Sequence, residues 1–328
     1  QPRSRGLGDV YKRQTLDPLE LADLLPGATG VLAGTLKLSG PRAAPTIEAD
    51  LTGNALKFDT YTAQTLSLKG RLPWKSGDGQ LALTGTGVQA GLALDRLDVQ
   101  ARGAVQDLQL HAQADSQMAS LTLAGAARQA QDGAWSGTLE TLRIVPSKGD
   151  AWALTQAAHF SQKGQAFTLS DSCLAGGDGG SLCVSADWPR NGVRAHSDRL
   201  PLTLLQPWLP QQDGRQLSPR GDLTLEANLK PQANAWQGQV HIASMEGGLK
   251  MGKNSRGELV RYDHFSIDVD MAPQKIHGRL GVGFAGNGFI DATFDTGWDS
   301  YAPLTGNIYL YNDRLFWLEL FSPDLVRP

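Results

Sequence analysis

Asp222-Leu223-Thr224-Leu225-Glu226-Ala227-Asn228-Leu229 puts an apolar residue at every odd position and a polar one at every even position. Successive side chains of a β-strand point to opposite faces, so the segment reads as a strand with one buried and one wet face. The same period returns in both directions. Phe265, Ile267, Val269 and Met271 alternate with Ser266, Asp268 and Asp270, and Leu280, Val282 and Phe284 follow. Upstream come Ile47/Ala49/Leu51, Leu66/Leu68, Leu81/Leu83, Leu108/Leu110/Ala112 and Leu121/Leu123, and between them and the later strands lies Val240/Ile242. Turn clusters such as Ser76-Gly77-Asp78-Gly79, Gln131-Asp132-Gly133 and Gly176-Gly177-Asp178-Gly179-Gly180 divide the runs. About twenty strands joined mostly by short turns are expected, a meandering antiparallel layout.

Three leucine-rich segments break the alternation, and each ends at a proline. In Asp17-Pro18-Leu19-Glu20-Leu21-Ala22-Asp23-Leu24-Leu25-Pro26, Asp17 is placed as N-cap, Pro18 as first helical residue and Glu20 at the third position, which predicts a two-turn helix. Leu200 to Pro210 and Asp313 to Pro323 read similarly, and in the second segment Leu202, Leu205 and Leu209 would face the sheet. The first two run on through a polar linker to a glycine and an alternating strand, Gly34-Thr35-Leu36-Lys37-Leu38 and Gly221-Asp222-Leu223-Thr224-Leu225. This self-similarity predicts repeat units over 15–199 and 200–311, with a third beginning at 312–328. Residues 1–14 resemble a translated sequencing adapter and are expected to lie outside the fold. With Gln1 rather than Met at its start, the chain is expected to be an internal fragment of a longer protein.

Composition removes several classes of function. The 328 residues carry 30 Lys+Arg against 33 Asp+Glu, a net charge of -3, so nucleic acid is not an expected partner. Charged residues make up only 19%, against about 25% in ordinary domains, and 38 glycines supply turns in number. No apolar run approaches the ~20 residues of a membrane span, and no signal peptide opens the chain. Gly281-Val282-Gly283-Phe284-Ala285-Gly286 has the spacing of a dinucleotide loop, but it continues a strand and no helix follows. The six histidines stand singly, and no nucleophile elbow or phosphate loop occurs. Neither an enzyme, a cofactor nor a metal site is expected.

A sheet of that many strands with one apolar face must cover it, because large open apolar patches are rare. Too few helices are expected to do so. The sheet must curl, stack, or enclose something else, and small interior positions such as Ala49, Ala112, Ala114, Ala227 and Ala292 leave room for a guest. At about 4.8 Å per strand, twenty strands would span roughly 95 Å. Leu223, Leu225, Phe265, Ile267, Val269, Leu280, Val282 and Phe284 are the expected lining of a groove suited to acyl chains. A sandwich filled by its own side chains is the bland alternative. Cys173 and Cys183 flank a glycine-rich loop between strand-like segments, a spacing that lets a hairpin bring them together. In an oxidising compartment they are expected to form a disulfide; otherwise they are two free thiols.

The repeated order of leucine-rich segment, proline, glycine and alternating strand, the pair Cys173-Leu174 and Leu182-Cys183, and Gly34-Thr35-Leu36-Lys37-Leu38-Ser39-Gly40-Pro41 with Pro45 resemble the TamB family of the translocation and assembly module. The resemblance runs from about Asp17 to Pro328. It implies an AsmA-like, repeating β-groove (β-taco) fold: an elongated, curled antiparallel sheet with short helices at the repeat junctions. It also implies a periplasmic scaffold, anchored to the inner membrane by a segment outside this chain and reaching a TamA-like outer-membrane barrel. The implied tasks are phospholipid movement to the outer membrane and assembly of outer-membrane proteins or autotransporters. The competing reading is a secreted β-solenoid adhesin or passenger-type binding protein, which calls for exposed aromatic or polar ladders on its outer face.

Overall fold

Strand follows strand from Lys12 to Asn312 in the structure, a computed structural model. It describes residues 12–312 apart from residues 24, 43, 210, 213–214, 233–234, 253–254, 256, 287 and 300. The chain divides into two units, one reaching Ser147 and taking in Gln156–Gly164, the other made of Lys148–Thr155 and Gln165 onward.

In the first unit the strands Lys12–Glu20, Ala28–Ser39, Thr46–Phe58, Tyr61–Leu72, Gly79–Gln89, Ala93–Ala104, Asp107–Asp115, Ala119–Gln129, Trp135–Pro146 and Ala158–Lys163 each pair antiparallel with the next. Sequence neighbours are ladder neighbours as far as Trp135–Pro146, as short turns require; Ala158–Lys163 then pairs across the intervening Trp152–Leu154. Glycine lets the backbones pass closely. At Gly34 and Gly70, with φ of +125° and +129°, a Cβ would overlap the carbonyl oxygens of Asp50 and Gln80.

The second unit runs Trp152–Leu154, Ala166–Gly176, Ser181–Trp188, Gly192–Pro201 and Ser218–Gln232 in the same manner. Ser218–Gln232 is long enough to pair with both Ala235–Ser244 and Gly247–Lys250, and these two share Glu258–Ala272 as their next partner. Lys275–Phe284, Gly288–Thr296 and Thr305–Asn312 complete the ladder. Cys173 stands opposite Cys183 with Cα atoms 4.0 Å apart, and a disulfide joins them.

The described residues contain no α-helix, which corrects the expectation for Asp17 to Pro26. Lys12–Glu20 is strand, with Leu16 opposite Gly34 and Leu19 opposite Leu32, and only Leu21–Asp23 turns as a 3-10 segment. The local capping pattern loses to a ladder that satisfies backbone groups along the whole stretch. The ladder also takes in residues 12–14, inside the stretch set aside as a leader. Leu202–Trp208 is a single 3-10 segment whose N-cap, Pro201, makes no side-chain capping bond. Leu205, expected on the sheet, is 47% exposed, whereas Leu217 beyond it is 0% exposed. A 3-10 segment repeats every three residues rather than 3.6, so Leu209, beyond its end, falls out of the i, i+3, i+7 stripe. The junction at 199/200 lies within the second unit, and the segment from Asp313 lies outside the described residues.

Two outcomes follow from this packing. Leu217→Ala should cost about 2–5 kcal/mol in chemical denaturation, whereas Leu205→Ala stays within about 0.5 kcal/mol; equal effects would place Leu205 in the core. Replacing both cysteines by serine should remove about 2–3 kcal/mol, since a loop of this length then gains freedom in the unfolded chain; unchanged denaturation midpoints under non-reducing conditions would show that the bond contributes nothing.

Candidate functional site

Antiparallel pairing keeps partner side chains on one face, so residues joined across the ladder form rows. In the first unit one row reads Leu36, Ala49, Gly70, Leu81, Ala101, Leu110, Gly125, Leu139, Ala158. The next reads Gly34, Leu51, Leu68, Leu83, Val99, Ala112, Leu123, Leu142, and the third Leu32, Gly53, Leu66, Gly85, Leu97, Ala114, Leu121, Ile144. No polar side chain interrupts them. Large residues dominate the middle row, while large and small alternate in the outer two. This relieves crowding where a sheet curls and leaves shallow space between the leucines.

The curl is visible at Gly79. A Cβ there, on the apolar side, would lie 2.6 Å from the Gly103 carbonyl oxygen and 2.8 Å from that of Arg71, one from each neighbouring strand. Tyr61–Leu72 and Ala93–Ala104, two ladder steps apart, come within 8 Å of each other, closer than the roughly 9.6 Å of a flat sheet. At that end of the strands the apolar face is closed. Leu72, Val105 and Leu108 are buried together under Trp74 and Trp135. The Val105 and Gln106 amides donate to the Pro73 and Trp74 carbonyls, and the Gln129 amide donates to Val105. Away from this end the rows are half-buried, and among the described residues of the unit no second sheet layer lies on them.

The second unit repeats the arrangement. Leu225, Ile242, Ile267, Leu280, Ala292 and Ile308 form one row; Ala195, Ala227, Val240, Val269, Gly278 and Phe294 the next; Phe265, Val282, Ile290 and Leu310 a third. Leu223 stands opposite Leu200, and Phe284 opposite Tyr262, on the same face. All eight residues singled out in the sequence therefore share one face, each half-buried. Trp188 and Trp236 also belong to it. Their strands are three ladder steps apart, about 14 Å in a flat sheet, yet their ring centroids are 5.2 Å apart, a closeness to which both the reach of the two side chains and a sheet curved toward its apolar side contribute.

The opposite faces are polar and paired. Lys37 meets Glu48 at 3.5 Å and Lys69 meets Asp50 at 3.3 Å in the first unit. In the second, His241 meets Asp268 at 2.6 Å, and Asp295 takes both Lys275 at 2.9 Å and His277 at 2.7 Å. Hydrogen bonds from Lys275 and then His277 hold the Asp295 carboxyl below its usual range. The disulfide lies on this side too, because Cys183 is in register with His196 and Glu226.

One feature escaped the sequence. Beside Ser218–Gln232 a cavity of about 760 Å³ is lined by Arg199, Arg220, Asp222, Glu246 and Lys250 among others. Arg220 Nε donates to Glu258 at 2.6 Å, and Glu246 lies 3.5 Å away. Arg199 Nε donates to Asp222 at 2.8 Å. Ser244 Oγ bonds the Tyr262 hydroxyl at 2.8 Å and the Asp222 carbonyl at 2.7 Å, and burial pushes the Tyr262 hydroxyl up. These residues are scattered along the chain with no shared spacing, so no motif could have announced them. Their charges satisfy one another, which suits a structural knot better than a reactive centre.

The sequence matches the N-terminal domain of TamB over residues 13–327. No solved structure matches the chain. Among the described residues no helix is long and apolar enough to cross a membrane.

The knot carries a pH dependence. The Arg220 hydrogen bond holds the Glu258 carboxyl below its ordinary value of 4.5. A depressed carboxyl adds stability above its unfolded pKa and loses it as pH falls through the folded one. Melting temperature should therefore drop on acidification through and below that range, and Glu258→Gln should flatten this part of the drop; an identical acid profile in the variant would deny the pair any role.

Proposed function

From the premise that this chain belongs to the TamB family, whose members are implicated in outer-membrane protein assembly and lipid transport, we propose that its apolar sheet faces hold phospholipid acyl chains in transit between the two membranes. The family acts with TamA-like partners and is periplasmic and anchored to the inner membrane, which gives such a surface two membranes to connect. The observation that carries the reading is the unbroken apolar row. Leu225, Ile242, Ile267, Leu280, Ala292 and Ile308 continue one another across six strands without a polar step, half-buried as far as Ala292 and exposed at Ile308.

The physical case is one of solvent. A chain of methylene groups gains about 0.8 kcal/mol for each one removed from water, and a row without hydrogen-bonding groups offers no fixed stopping point. Leu223, Phe265, Val269, Val282 and Phe284 widen this surface on either side. Small residues at Ala227, Gly278 and Ala292 leave the depth that a guest chain occupies. Catalysis has no place in this scheme; the chain is a scaffold. An unfolded strand of an outer-membrane protein could instead add to a sheet edge, but it would be held by backbone groups rather than by the apolar rows.

Photo-crosslinking distinguishes the two. A photoreactive residue at 267, on the apolar face, should capture phospholipid, identified by mass spectrometry after organic extraction, while one at 268 should not. Ile267→Arg should block lipid binding by placing a charge where it loses its water, and Asp268→Arg should be tolerated. Equal lipid labelling at both positions, or none at either in a folded chain, would return the molecule to a sheet that only packs upon itself.

A further inference from the structure

The outer face changes character over its last strands. Elsewhere in the second unit it carries charged, amide and small side chains and the disulfide, but two adjacent outer rows read His264, Gly283, Phe289, Tyr311 and Ser266, Gly281, Asp291, Tyr309. Phe289, Tyr309 and Tyr311 are 47%, 65% and 55% exposed. The rings of Phe289 and Tyr311 lie 6.2 Å apart at 33° to each other. The His264 ring occupies the space over Gly283 that a Cβ would need, which extends the line of rings by one strand, and Asp263 fixes its Nδ1 at 3.0 Å.

Three large aromatic side chains thus stand about half or more exposed on a polar sheet face, opposite to the apolar rows. Exposed patches of this kind mark binding surfaces.

We propose that this patch is a binding platform for a linear glycan of uncharged or amino-substituted sugars. A pyranose ring presents a face of C–H groups and a rim of hydroxyls. The aromatic row offers flat, electron-rich faces to the first. The second row, with Ser266, Asp291 and the Tyr309 hydroxyl, offers donors and acceptors to the other. Gly281 keeps the second row low beside the rings, and the strand spacing of about 4.8 Å suits one sugar unit per strand. Charge selects among glycans: the rows and Asp263 carry two carboxylates and no lysine or arginine, so a phosphate- or sulfate-bearing polymer would be repelled and an amine attracted. This surface is separate from the apolar rows, and it can be right or wrong independently of the lipid reading.

Titration calorimetry of the 328-residue chain with hexamers of glucose and of N-acetylglucosamine tests it, with a sulfated polysaccharide as the anionic comparison. Saturable binding of at least one hexamer is expected. Phe289→Ala and Tyr309→Ala should each weaken it about tenfold, while Ile308→Ala, one residue from Tyr309 but on the other face, leaves it unchanged. Because all three side chains are exposed, far-ultraviolet circular dichroism should be the same for every variant. Absence of saturable binding to both hexamers at millimolar concentration, an equal loss in Ile308→Ala, or tighter binding of the sulfated polymer would each overturn the proposal.

Discussion

Everything in this molecule depends on register. A sheet with one apolar and one polar face survives only if every strand pairs so that its apolar set falls on the same side, because a slip of one residue exchanges the two faces. The ladder meets that demand with local irregularities as well as alternation. In Glu258–Ala272 the apolar face is held by even positions up to Tyr262 and by odd positions from Phe265, and the pairing shifts between Tyr262 and His264. Trp135–Pro146 changes from Leu139 to Leu142 and Ile144 across the shift at Ala124/Gly125. Gly192–Pro201 changes from Ser197 to Leu200 in the same way. Each bulge inserts one residue, so it switches the parity of the strand while the apolar face stays continuous.

The energetic consequence is unusual for a protein core. Leu72, Val105 and Leu108 reach full burial only where hairpin ends curl together, and the long central rows stay half-buried. Stability is thus spread along the ladder in nearest-neighbour terms, as in repeat proteins, with one end of the first unit's strands sealed and the middles of the rows left with apolar surface to spare. That surplus connects packing to the proposed function: a surface stable enough to fold and still able to gain by covering itself with hydrocarbon. The outer face does different work. Its ion pairs, such as Lys69 with Asp50, are exposed, and pairs of that kind are worth little individually; their role is to keep this side wet and so fix which face turns inward.

Alternation alone made most of the fold legible. The eight residues from Leu223 to Phe284 fall on one face because period two is a property of the extended backbone itself, and the short Gly- and Asp-rich turns dictated that sequential strands would pair antiparallel. Helix assignment failed where it rested on local signals: Asp17, Pro18 and Glu20 form a plausible cap, but local preferences of a kilocalorie or so yield to a ladder that runs the length of the segment. Leu205 was misplaced because the spacing of leucines within one segment does not say which side of that segment meets the sheet; Leu217, beyond the segment, takes the buried position instead.

What the sequence determined by itself was therefore the side each residue takes relative to its neighbours in the chain. Only the tertiary structure decided the rest: the bulges that switch parity, among them the one between Leu169 and Ser172 that turns Cys173 to the outer face beside Cys183, the curl at Gly79 and beneath Trp188 and Trp236, the knot of Arg220, Glu258, Ser244 and Tyr262, and the aromatic strip of Phe289, Tyr309 and Tyr311. Each of these joins residues from different strands. The physical reason is that side-chain period is set by the local geometry of one strand, whereas curvature, cross-strand neighbours and exposure depend on which strands meet and in what register, and that is a property of the whole ladder.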